Sequence, residues 1–94
     1  MEKGLHSEAV NRFFKAVLSL ENQEECYQFF EDVCTVKELT AIAQRVEVAK
    51  MLREERTYLD IAKETGASTA TISRVNRSLN YGTGGLDMVI ERTK

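Results

Sequence analysis

The stretch TYLDIAKETGASTATISRVNRSLN, residues 57–80, constrains the fold of this chain more than any other. Its apolar residues recur at helical spacing on both sides of one glycine. Leu59, Ile61 and Ala62 precede Gly66, and Ile72, Val75 and Leu79 follow it. Such a pattern predicts two short amphipathic helices rather than strands. Gly66 stands where the first helix must stop, because glycine takes left-handed backbone without a Cβ penalty. Thr57 is placed to cap the first helix, with Asp60 three residues on in an approximate capping box. Ser68 is placed to cap the second. Ala62 is small enough for the second helix to cross close to the first.

With Ile72, Val75 and Leu79 facing inward, the second helix turns Ser68, Thr69, Ala70, Ser73, Arg74 and Arg77 outward. These are short hydroxyls and a methyl near the helix start, then two arginines. A helix of this kind can enter a DNA major groove. Its hydroxyls reach phosphates or base edges, and an arginine can pair bidentately with guanine. Residues 66–80 contain no acid, although 15 of the 94 residues are Asp or Glu. Large apolar groups, which a partner-helix interface would favour, are missing from the outward positions. The residues alone therefore favour a DNA-reading helix-turn-helix over about residues 57–80. In that reading Thr69, Ala70, Ser73 and Arg74 approach bases, while Ser68, Thr71 and Arg77 hold the backbone.

A chain of this length is expected to form one domain, 1–94. It has no proline and little strand-like alternation, so the expected class is all-α. The formal net charge of −2 argues against a general nucleic-acid coat and for a localised contact surface. Neither a membrane-spanning apolar run nor a signal peptide is visible, which leads to the expectation of a cytoplasmic protein. Cys26 and Cys34 read as buried reduced thiols. No metal or cofactor is expected, because His6 is the single histidine and no set of ligands accompanies it. For the same reason no Ser–His–acid constellation is available, and the chain is not expected to be an enzyme.

The remaining sequence divides into further helices. Ala9, Val10, Phe13, Phe14, Val17 and Leu18 form one stripe, and Cys26, Phe29, Phe30 and Val33 another after a start at Asn22 and Glu25. Thr35 with Glu38 forms a capping box for a longer helix carrying Leu39, Ile42, Ala43, Val46, Ala49 and Leu52. These stripes are expected to be core, with part of each available for a dimer interface. Three glycines predict a loop over Tyr81–Gly85, and Leu86, Met88, Val89 and Ile90 a last short helix.

Several of these features occur together in a known family. The threonine opening the central helix, Arg45–Val46, the Met51–Leu52–Arg53 stretch and GASTATISRVNRSLN at Gly66–Asn80 resemble the Trp repressor. The whole chain, with CYQFFEDVCT and RTYLDIAKETGASTATISRVNRSLNYG, is still more similar to the YerC/YecD group of that superfamily. The resemblance implies six helices in an intertwined homodimer. It implies two recognition helices about 34–36 Å apart on a two-fold symmetric operator, and a transcriptional regulator acting as a repressor. It also carries an effector pocket onto Thr35, Arg45, Arg74, Val75 and Ser78. The Trp repressor has glycine where this chain has Val75. A branched side chain in a slot for a flat ring costs about 1–3 kcal/mol, so Val75 argues against tryptophan and leaves room for a different small effector. The alternative to a DNA regulator is a helical protein–protein interaction module that keeps the fold without DNA binding.

Overall fold

A computed structural model describes residues 6–94. Among these residues lie six helices and no strand: α1 (Glu8–Leu18), α2 (Gln23–Val33), α3 (Val36–Arg53), α4 (Tyr58–Thr65), α5 (Thr69–Tyr81) and α6 (Gly85–Arg92). They fall into two compact units, one reaching to Val36 and one running from Lys37 to Lys94.

In the first unit, side-chain caps begin both helices. Ser7 Oγ accepts from the Val10 N–H at 3.1 Å, and Asn22 Oδ1 from the Glu25 N–H at 2.9 Å. The Glu25 carboxylate reaches back to the Glu21 N–H at 2.9 Å. These bonds satisfy amides that have no partner inside the helix. The Phe13 ring lies 6.0 Å from Phe29 and 6.4 Å from Phe30, which meet edge to face at 5.2 Å. The expectation that these stripes form core is not met, because no residue of α1 or α2 is buried. Leu18 is 83% exposed and Phe14 56%. Two short helices have too few facing positions to cover six apolar residues on one and four on the other. Cys26 is likewise exposed and Cys34 half-buried, both as free thiols, so the expectation of buried thiols also fails.

The second unit holds one buried cluster: Val48 and Ala49 of α3, Ile61 of α4, Ala67 of the turn, and Ile72, Val75 and Leu79 of α5. Met51, Leu52, Ala62, Leu86 and Ile90 pack around it. Of the α3 stripe expected in the core, only Ala49 is fully buried. Val46 and Leu39 are half-buried, and Ile42 and Ala43 are exposed. Val48 takes the central place that periodicity did not assign to it. Leu59, expected inside, is 81% exposed, because eight residues of α4 turn only a narrow face to the cluster.

The turns follow local chemistry. The carbonyls at the end of α3 are satisfied by a Schellman arrangement: the Arg56 N–H donates to Met51 O at 3.1 Å and the Glu55 N–H to Leu52 O at 3.0 Å. Glu55 takes the left-handed backbone this requires, at φ 61°. Thr57 Oγ1 accepts from the Asp60 N–H at 3.1 Å to begin α4. Gly66, at φ 75°, ends it and donates to Ala62 O at 2.9 Å. The loop expected over Tyr81–Gly85 is shorter, since α5 runs through Tyr81 and α6 opens at Gly85. No described helix is long and apolar enough to cross a membrane.

Candidate nucleic-acid interface

The site is built on α5, and its inner face fixes its outer one. Ile72, Val75 and Leu79 recur every three or four residues and are buried. Burial on that spacing forces the intervening residues to the other side of the helix. Ser68, Thr69, Ala70, Ser73, Arg74, Arg77 and Ser78 are all exposed. Thr71 is half-buried. Its N–H donates to Ser68 Oγ at 3.1 Å, and the two hydroxyls lie 3.1 Å apart, so this pair defines the helix start.

The turn before α5 is held from two sides. Thr65 Oγ1 donates to Ile61 O at 2.7 Å and accepts from the Ala67 N–H at 3.1 Å. Gln44 Nε2 of α3 donates to Thr65 O at 3.0 Å. The end of α4, just before the turn into α5, is thereby tied to α3 through a hydrogen bond that no local pattern signals.

The electrostatics of the face are simple. Arg74 makes no ion pair among the described residues, and its guanidinium is available to an external anion. Arg77 lies 6.0 Å from the centroid of the Tyr81 ring, one turn further on, a cation–π contact that steadies it. Tyr81 was not a candidate, although the four-residue interval from Arg77 is a legible helical-neighbour signal. The acids of α4 are occupied. Arg56 Nε binds Asp60 at 3.0 Å, Nη1 lies 3.7 Å from Glu54, and Nη2 contacts Glu64. Arg56 is a second residue that sequence reasoning passed over. It withdraws carboxylate charge from the helix preceding α5.

Another arginine closes the far end of the unit. Arg53 Nε and Nη2 donate to Asp87 Oδ1 and Oδ2 at 2.7 and 2.8 Å, and Nη2 also donates to Leu79 O at 3.3 Å. The hydrogen bond from Arg53, with its charge, holds the Asp87 carboxyl below the usual carboxylate range against partial desolvation. The same partner raises the Arg53 guanidinium further.

The expected effector residues fall in both units. Thr35 precedes α3 in the first unit. Arg45, Arg74 and Ser78 are exposed in the second unit, whereas Val75 is only 4% exposed and belongs to the core cluster. Two open grooves run along α3. One, of about 560 Å³, is lined by Lys50, Arg53, Asp87 and Ile90 among others. The second, of about 500 Å³, is lined by Thr40, Gln44, Met51 and Thr65 among others. None of the five expected effector residues lines either groove. Among the described residues, no group of His, Cys, Asp and Glu is arranged to hold a metal ion.

Comparison with known proteins agrees with this geometry. The family model described as Trp repressor protein matches residues 8–94. The uncharacterized protein YerC of Bacillus subtilis (strain 168) is 53% identical over 90 residues, covering 96% of this chain and 86% of that protein. A TrpR-like protein from Eubacterium eligens ATCC 27750, known from its crystal structure, is 63% identical with a TM-score of 0.95, covering 98% of this chain and 95% of that one. A crystal structure of a candidate Trp repressor from Staphylococcus aureus is 50% identical with a TM-score of 0.93, covering 97% and 91%. The acid-free outer face of α5, the six-helix order and these matches together place the chain in the Trp repressor family, a family of non-enzymatic DNA-binding regulators.

Proposed function

We propose that this protein is a sequence-specific transcriptional repressor that reads a two-fold symmetric operator through α5, as a cytoplasmic homodimer. The observation that carries the reading is the outer face of α5. It offers short hydroxyls and a methyl at Ser68, Thr69, Ala70 and Ser73, then Arg74 with no ion-pair partner among the described residues, and no acid anywhere along it. Thr69, Ala70, Ser73 and Arg74 approach base edges. Ser68, Thr71 and Arg77 hold phosphates, with Arg77 steadied by Tyr81. Membership of a DNA-binding family supports this use of the face.

Homodimerisation is supported by the apolar residues the single chain leaves exposed, among them Phe14, Leu18, Val36 and Ile42. Two copies related by a two-fold axis set their α5 helices about 34–36 Å apart, one turn of DNA. Tryptophan is not part of the reading. Val75, a member of the core cluster, carries a branched side chain where the Trp repressor has a glycine, which disfavours a flat ring at that position. An effector of another shape, held by Thr35, Arg45, Arg74 and Ser78 once two chains meet, is compatible with the dimer.

The test is fluorescence-anisotropy binding to DNA fragments enriched by in vitro selection, across a salt series and with and without tryptophan. Affinity should fall steeply as salt rises, through counterion release. Arg74→Ala should cost about 1–3 kcal/mol on the selected site and relax preference at one base position. A loss equal on all sequences contradicts base reading by Arg74. Binding indifferent to salt favours a protein–protein interaction module built on the same fold.

A further inference from the structure

We propose that Arg53 is a positioning residue for DNA recognition: from α3 it fixes the C-terminal end of α5 and the start of α6, so that the outer face of α5 is held at one setting. This rests on the reading of α5 as the recognition helix.

The geometry is specific. One guanidinium joins three helices, with two short bonds to Asp87 in the first turn of α6 and one to Leu79 O near the end of α5. The carbonyls at a helix end have no intrahelical partner, and the partial negative charge there favours a cation. Helix α5 has no basic residue in its own last turn. Arg53 supplies that charge from another element. The same guanidinium holds the acid at the start of α6, a helix whose N-cap, Gly84, has no side chain to offer. Only a planar fork can serve both partners at once. Lysine would keep the charge and lose the paired bonds.

Position matters more here than stability. The pair is half-exposed, and such pairs add little to folding free energy. Yet α5 has 13 residues and is about 20 Å long, so a tilt of about 5° at one end moves the other by nearly 2 Å. Base-reading groups must be held within about 0.5 Å of productive geometry. Gln44 ties the turn before α5 to α3 through Thr65 O, and Arg53 ties α5 itself to α3 near its end. The other charges around the groove have partners of their own: Lys94 binds Glu91 at 3.0 Å, Lys50 lies 4.0 Å from Glu47, and Glu54 lies 3.7 Å from Arg56.

The test uses Asp87→Ala and Arg53→Lys, because both preserve or increase the positive charge of the protein. A role through the protein's field alone makes Asp87→Ala bind DNA more tightly and leaves Arg53→Lys unchanged. A positioning role makes both weaken binding to the selected fragment by about tenfold, the size of one mismatched base pair. Binding to random DNA should be unchanged in Arg53→Lys and unchanged or slightly tighter in Asp87→Ala, so the ratio of selected to random affinity falls in both at temperatures where they are fully folded. In the free protein, hydrogen exchange at the amides of residues 79–88 should speed up in both variants. Tighter or unchanged binding by Asp87→Ala, or equal loss on selected and random DNA, overturns the proposal. So does unchanged exchange. If the unaltered protein selects no DNA, the recognition reading fails together with the positioning role, whereas faster exchange in the variants would still report the tie between α3, α5 and α6.

Discussion

Glu55 closes α3 with a φ of 61°, in backbone that a side chain bearing a Cβ adopts only at a cost. The hydrogen bonds of the Schellman turn keep it there, since Glu55 and Arg56 both donate back to the last turn of α3. Glu55→Gly should relieve that strain, offset in part by the greater freedom of glycine in the unfolded chain. The expected net gain is about 0.5–1 kcal/mol, read as a melting temperature raised by several degrees in a domain of about this size. An unchanged or lower melting temperature would show that the turn carries no relievable strain. The position was not legible as a left-handed turn, because the sequence signal for one is glycine or asparagine. Gly66 was legible for the opposite reason. Ile72, Val75 and Leu79 were likewise readable as an inward face, whereas Val48 and Ala67 were not. Their burial depends on α4 and α5 crossing at that point of α3, and a periodicity count along one helix carries no such information.

Among the elements, the connection from α5 to α6 is the most sharply specified. Gly82 donates to Ser78 O at 2.9 Å, and a Cβ at Gly82 would collide with that same carbonyl. The carbonyl is backbone and cannot swing away as a side chain would. Gly82→Ala should therefore cost about 1–3 kcal/mol, in the range of overpacking substitutions. Loss of amide protection should concentrate in α6, and circular dichroism melts with hydrogen exchange would check both. Stability equal to the parent would mean that the turn rearranges freely. The starts of α4 and α5 were readable from Thr57 and Ser68 because a cap is a contact between residues three apart. The exact limits of the 81–85 loop were not. Glycine weakens a helix without forbidding it, and whether Gly85 joins α6 depends on what Leu86 and Ile90 find to pack against.

At the scale of the whole molecule, the proposed dimer draws on the apolar residues that α1, α2 and α3 leave exposed. Phe14, Leu18, Val33, Val36 and Ile42 are all exposed in the single chain. Large apolar residues left exposed in this number are the material of an interaction surface. Sedimentation equilibrium should return twice the chain mass, with a melting temperature that rises with protein concentration. Phe14→Glu combined with Leu18→Glu should shift the protein to monomer and weaken DNA binding, since one α5 then reads one half-site. A parent protein that sediments as a monomer at all concentrations would remove the dimer from the proposed function. The breadth of these stripes was plain in the sequence, and the division between core and open surface was not.

What the sequence by itself determined is what rests on contacts within one or two helical turns: the all-α class, the caps at Thr57 and Ser68, the stop at Gly66, and the polar, acid-free outer face of α5. These depend on backbone stereochemistry and on neighbours three or four residues apart, which a linear sequence displays directly. What only the tertiary structure decided is what joins residues distant in the chain. Gln44 on Thr65 O, and Arg53 on Leu79 O and on Asp87, bridge 21, 26 and 34 residues, and the place of Val48 in the core depends on which helices pack together. A charged side chain in a sequence has many potential partners, and which one it meets follows only when packing of the apolar faces has fixed where the helices lie.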